Sequence, residues 1–342
     1  MTAPVEVTAT RGGVVESRHR VHVALADAQG RLLAAAGDCD LVTFLRSSAK
    51  PLQAVPLVAS GAAAAFGLDS GDLAIACASH IGAGIHLEAA ARLLAKAGLG
   101  PQHLRCGAHP PEDAAERARL GGHPPQRLHN NCSGKHAGML AVCAHLGWDL
   151  DGYLDPEHPL QQAIRGIVAE AAGVQPILGV DGCGVPTFGL PLHAMATAFA
   201  RLGCGAGLPD AAAAAAAPLA EAMAARPELI SGPGQFNTEF LRHRGHEWLT
   251  KGGAEGVWCA GRRGPAPGLG LALKVEDGAG RAAPPAFLAV LAACGLPGGQ
   301  EADARFCRPA LRNTLGAEVG SLAATVPAGL PATLRQGMAA GA

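Results

Sequence analysis

The sequence predicts a mixed α/β fold of the α+β kind, an antiparallel sheet built from both chain ends and flanked by helices. Three observations lead there. Apolar and polar residues alternate over residues 5–36, short glycine-bounded apolar runs recur over 246–275, and the chain between them carries helical spacing. Strands at the ends and helices in the middle argue against a βαβ repeat, and no internal repeat is visible.

Taken in chain order, VEVTATRGGVVES and HRVHVALADAQGRLLAAAG read as strand-forming runs. Asp27-Ala28-Gln29-Gly30 reads as the turn of a hairpin, with one strand ending near Ala26 and the next starting at Arg31. Helices are predicted over residues 52–65, 85–97, 134–146, 159–172 and 210–225. Pro56 and Pro218 are expected to kink or shorten the helices that contain them. Three further strands are predicted over 246–251, 256–262 and 268–275. Residues 1–320 are expected to form one domain, and 321–342 a loosely ordered tail.

Composition excludes several classes. A chain of 342 residues with 49% hydrophobic and 16% charged residues can bury a large core and is not a disordered sequence. Lys+Arg 27 against Asp+Glu 28 gives a net charge of −1, so no basic excess draws it to nucleic acid or an anionic membrane surface. The first residues lack the apolar core of a signal peptide, and no apolar run is long enough to span a membrane. The expectation is a soluble cytoplasmic protein whose ten cysteines are thiols or metal ligands.

Four segments carry candidate chemistry. In Arg46-Ser47-Ser48-Ala49-Lys50-Pro51, the serine at 47 and the lysine at 50 share a face if a helix starts there. A lysine that has shed its proton can serve a serine nucleophile as base, which requires its pKa to fall several units from about 10.4. The alternative is a serine cap followed by a surface lysine. Cys77-Ala78-Ser79-His80 leads from an apolar run into a helix, where Ser79 could cap and His80 could fill a polar pocket. Lys251-Gly252-Gly253 ends a predicted strand, either as a turn with an exposed lysine or as a close approach to a ligand. With the upstream S-x-x-K it echoes the S-x-x-K and K-T-G pair of serine β-lactamases and penicillin-binding proteins, with Gly252 in place of the threonine.

The fourth is HNNCSGKHAGML together with VDGCGVP. A phosphate loop is ruled out, because His129 replaces its first glycine and His136 its Ser/Thr. Cys132 has histidines nearby but no oxyanion hole or orienting residue. Cys132 with Lys135 or His136 has ligand spacing on a helical turn, and Cys183 could complete a soft-metal site. Against this, free cysteines are commonly just buried.

Together the stretches TRGGVVESRH, FLRSSAKPLQAVPL, CASHIGAGIHLEAA, LHNNCSGKHAGML, GVDGCGVPTFGLPL, ISGPGQFNT, LTKGGAEGVWCAG and PALRNTLGAEVG resemble the zinc-binding, rhizobial-type L-asparaginases (asparaginase II family) over residues 5–320. The resemblance implies a serine-β-lactamase-like fold and an amidohydrolase that converts L-asparagine to L-aspartate and ammonia. It implies two Ser–Lys pairs, Ser47 with Lys50 and Ser79 with Lys251, and zinc held by Cys132, Lys135 and Cys183. It also implies substrate contacts or support from Arg46, His80, His136 and Asp181, and a homodimer. One departure stands out: IGAGIH (81–86) lacks the acidic residue expected after Ser-His in a Gly-Glu pair. That departure keeps open a related hydrolase of another amide, such as glutamine or a β-lactam, and a catalytically silent metal-binding protein.

Overall fold

The computed structural model describes residues 2–299 and 303–340. Strands β1 (Val5–Arg11), β2 (Val14–Ala26) and β3 (Leu32–Ala36) come from the N-terminal end, followed by β4 (Val42–Phe44). The middle of the chain supplies only β5 (Ile177–Val180) and β6 (Pro186–Pro191). The C-terminal part gives β7 (Trp248–Gly253), β8 (Val257–Arg262), β9 (Gly270–Val275), β10 (Ala310–Arg312) and β11 (Glu318–Thr325).

The main antiparallel sheet runs in the order β10-β11-β1-β2-β9-β8-β7, with β3 also paired to β2. It is therefore built from both chain ends, as the sequence predicts. Strand alternation explains β1, whose Val5, Val7 and Ala9 are buried while the residues between them are partly exposed. Strand β9 is buried nearly throughout because helices cover both faces of the sheet.

On one face lies the helix Leu192–Cys204. Its approach is close: a Cβ on Gly270 would stand 1.8 Å from the Ala196 carbonyl oxygen, and one on Gly261 1.9 Å from that of Phe199. Only glycine fits at these two positions. On the other face the helix Ala283–Ala293 joins Phe236, Phe240 and Trp258 in a second, aromatic-rich core. Burial of these faces away from water supplies the main favourable term for the assembly.

Most predicted elements are present with shifted ends. The 159–172 and 210–225 helices appear at those limits, and Pro218 lies inside an uninterrupted helix. The predicted helix over 52–65 is instead three short pieces, Lys50–Gln53, Val55–Ala59 and Ala62–Ala65, with Pro56 in the first turn of the second.

Two corrections concern the ends and the middle. Residues 321–325 are not part of a loose tail: they complete β11, which pairs with β1 from Glu6↔Thr325 to Arg11↔Gly320. The helix Leu330–Ala339 follows and packs on β3, burying Leu330 and Leu334. The last two residues of the expected tail, 341 and 342, lie outside the described residues. The second correction is a small sheet, β4-β6-β5, that the sequence reading did not anticipate. Among the described residues no helix is long and apolar enough to cross a membrane.

Candidate active site

The small sheet and the edge of the main sheet bring the four candidate segments together. After β4 the chain turns into a 3-10 turn, Arg46–Ala49, and then the helix Lys50–Gln53. Residues three apart eclipse one another in a 3-10 turn, which sets Ser47 and Lys50 on one side. Strand β7 runs beside this turn. Ser48 Oγ donates to the Lys251 carbonyl at 3.0 Å, and a Cβ on Gly253 would meet the Leu45 carbonyl oxygen at 2.7 Å. The K-G-G step thus permits strand and turn to touch.

Lys50 and Lys251 are both buried. Lys50 Nζ donates to the Ala78 carbonyl and, at 3.3 Å, to that of Asn131. Lys251 Nζ donates to the Gly252 carbonyl at 2.8 Å. Burial lowers the pKa of Lys50, opposed by the Cys132 thiolate and reinforced by Lys135. Burial and then the Lys50 charge push Lys251 well below the usual lysine range. Both amines are thereby biased towards the neutral form that a general base needs. Ser47 Oγ has no hydrogen-bond partner among the described residues, so neither amine is bonded to it. The buried Ser79 hydroxyl is also without a partner among them.

The segment around Ser79 follows the helix Ser70–Ala76. His80 Nδ1 accepts from the Gly82 N–H at 3.1 Å, which leaves Nε2 to donate to Ser133 Oγ at 3.0 Å. Burial and the neighbouring His86, stacked at 4.8 Å between centroids, hold His80 well below its ordinary pKa. At the departure, the Ala83 N–H donates to His86 Nδ1 at 3.1 Å, and Glu116 Oε2 lies 3.8 Å from where a Cβ on Gly84 would sit. A cavity of about 350 Å³ opens here, lined in part by Ile81, Ala83, Asp113 and Arg119.

Cys132, Lys135 and Cys183 converge. The helix Ser133–Leu146 carries Lys135 one turn beyond Cys132, and the turn between β5 and β6 carries Cys183. Lys135 Nζ stands 3.0 Å from Cys183 Sγ, and Cys132 Sγ donates to Asn131 Oδ1 at 3.1 Å. The neighbouring Cys183 thiol pulls the Cys132 thiol down strongly, against the cost of burial, with help from Lys50 and Lys135. Among the described residues no three His, Cys, Asp or Glu side chains gather as a metal site. The donor set here is two sulfurs and an amine, which suits a soft or borderline ion.

Around it, burial raises Asp181, but Lys135 and Arg46 outweigh that and its carboxyl ends below the usual range. Arg46 Nε donates to Asp181 Oδ1 at 2.8 Å. His136 receives the Tyr153 hydroxyl on Nδ1 at 2.7 Å, while its buried Nε2 has no partner among the described residues. Burial, then Lys135 and Lys50, keep this ring neutral.

Every predicted site residue thus lies on segments that meet. Sequence reasoning missed Ser48, Asn131 and Asn237. Asn131 sits inside HNNCSGKH and Asn237 inside ISGPGQFNT, so the motifs held them, but only contacts reveal that Asn131 takes the Cys132 thiol and the Lys50 amine and that Asn237 pairs with the β7 backbone.

Sheet, helices and this grouping of hydroxyls, buried amines and thiols define a protein with a candidate serine–lysine centre. Residues 7–324 match the family model described as L-asparaginase II, and the chain belongs to that family. No curated protein matches it. Among solved structures it is similar to Mglu in its native form, at 16% identity and a TM-score of 0.42, over 76% of this chain and 60% of that one. It is also similar to Mglu in its glutamate form, at 16% identity and a TM-score of 0.40, over 76% and 57%. The chain spans about three fifths of the length of these structures.

Proposed function

We propose that the protein is an amidohydrolase that cleaves the side-chain amide of L-asparagine to L-aspartate and ammonia through a serine acyl-enzyme. The observation that carries this reading is the burial of Lys50 one 3-10 turn beyond Ser47, with its pKa lowered by that burial. Ser47 Oγ attacks the amide carbon and Lys50 takes its proton. Ammonia leaves with a proton relayed by Ser79 and Lys251, and a water then releases L-aspartate from Ser47. Arg46, His80, His136 and Asp181 contact the substrate or hold the groups that do.

Cys132, Lys135 and Cys183 are the residues that would hold zinc. Bound there, zinc would supply a positive centre for the charged end of the substrate and an open coordination position. His136 and Asp181 support these ligands from outside. Ten unpaired thiols support a reducing, cytoplasmic setting, and the family resemblance supports a homodimer.

A second reading is hydrolysis of another linear amide, such as glutamine. The segment IGAGIH (81–86), which lacks the acidic residue that the family resemblance leads us to expect after Ser-His, favours it. Ammonia release from L-asparagine and L-glutamine, with and without added zinc, separates the two. The first reading expects asparagine to be the better substrate and Ser47→Ala to be inactive. Faster glutamine turnover supports the second, and full turnover by Ser47→Ala removes Ser47 from both.

A further inference from the structure

The segment ISGPGQFNT (230–238) has no part in the chemistry above, yet it is bonded to Ser79 and to the two residues that flank Lys251. At its start, the Ile230 carbonyl accepts from the Ser79 N–H at 2.8 Å, and the Ser231 carbonyl from the Ile81 N–H at 2.9 Å. At its end, the buried Asn237 side chain meets β7 on either side of Lys251. Nδ2 donates to the Thr250 carbonyl at 3.1 Å, and Oδ1 accepts from the Gly252 N–H at 3.1 Å.

This is the pairing a neighbouring strand would give. Strand β7 is the last in the sheet, so Thr250 and Gly252 present a carbonyl and an N–H with no strand to receive them. A primary amide matches both at once, as donor and acceptor. The span between the two ends is itself fixed. Thr238 Oγ1 donates to the Pro227 carbonyl at 3.0 Å and accepts from the Gly232 N–H at 3.1 Å. Gly232 has φ +125°, and a Cβ there would stand 2.6 Å from Ile81 Cδ1, so only glycine brings the segment this close to residues 79–81. Phe236 packs on Trp258, whose ring lies against Gly252.

We infer that Asn237 is a positioning residue for Lys251, and that residues 230–238 act as a rigid spacer setting the Lys251 amine relative to the Ser79 hydroxyl. The inference rests on the proposal that these two groups relay a proton during amide hydrolysis. The titratable groups whose charge reaches Lys251 are Lys50, Cys77 and Cys132. Releasing the clamp frees β7 at the sheet edge and admits water to the amine. Its pKa then climbs back towards the ordinary lysine value, and less of it is neutral at pH 7.

The test uses the whole chain with three substitutions, Asn237→Ala, Asn237→Asp and Trp248→Phe. Asn237→Asp keeps the volume and the acceptor but loses the donor to Thr250. Trp248→Phe, on the same strand but away from Lys251, breaks a partly buried hydrogen bond to the Pro297 carbonyl and controls for lost stability. The first readout needs no catalysis: acetic anhydride labelling of Lys251 against pH, followed by peptide mass spectrometry. The labelling midpoint is expected to move up by about one pH unit in both Asn237 variants, a tenfold loss of neutral amine, and to stay in place in Trp248→Phe. The second readout is the pH profile of ammonia release, where the acid limb of kcat should move by the same amount while KM changes less than about threefold. An unmoved midpoint in both Asn237 variants, or an equal shift in Trp248→Phe, overturns the inference. A shifted midpoint with no ammonia release by the parent enzyme would uphold the clamp and count against the proposed reaction.

Discussion

Arg46 Nε donates to Asp181 Oδ1 at 2.8 Å, and Arg46 does so from a left-handed backbone, φ 49°. A non-glycine residue in this region is strained and persists only where its surroundings hold it. The residue after it is Ser47. The ion pair therefore ties the turn that presents the candidate nucleophile to the loop that carries Cys183. Asp181→Ala is expected to lower kcat/KM about 10- to 100-fold, the loss that follows from a charged hydrogen bond of about 1.5–3 kcal/mol. Steady-state kinetics check this, and a change under threefold would separate the pair from catalysis.

The two depressed lysines set a pH dependence with a definite sign. Activity needs neutral amines, so kcat should rise with pH through the lowered lysine values, at a pH below that of an exposed lysine near 10.4. A profile that climbs only near pH 10 would mean that both amines titrate like exposed lysines.

Stability follows the same groups. Between the depressed folded value of Lys251 and about 10.4, the unfolded chain holds a proton that the folded chain does not, so stability rises with pH across that window. Lys251→Met removes the buried amine. Its Tm should exceed the parent's most at low pH, where folding must bury the charge, and the gap should close as pH rises towards 10. Activity should be lost at every pH. A lower Tm throughout would show the amine to be a net stabiliser.

Metal binding has a test of its own. With Cys132, Lys135 and Cys183 as ligands, the protein should retain about one zinc per chain after dialysis, and Cys132→Ser and Cys183→Ser should each lose it. Zinc content by mass spectrometry reads this directly. Zinc kept by both serine variants would place the metal elsewhere.

Much of the fold is legible in the sequence where the signal is local. Alternation marks β1, Asp27 to Gly30 marks the turn before β3, and helical spacing marks 159–172. What escaped depends on distant partners. Strand β11 is short in β-branched residues and becomes a strand by pairing with β1 at the other end of the chain, as in the bond from Thr8 Oγ1 to the Ala323 carbonyl. The small sheet is missed for a related reason: β4 has three residues and β5 four, each too short for a period. The site shows the same division. Motifs single out Ser47, Lys50, Cys132 and Lys251 as candidates, whereas the Asn237 bond to β7 exists only because β7 is an edge strand beside it.

The most direct measurement is mass spectrometry of the enzyme quenched during turnover of L-asparagine. Ser47 as nucleophile predicts an aspartyl ester on the peptide that contains Ser47, absent from Ser47→Ala. An ester on Ser79, or undiminished ammonia release by Ser47→Ala, would contradict it.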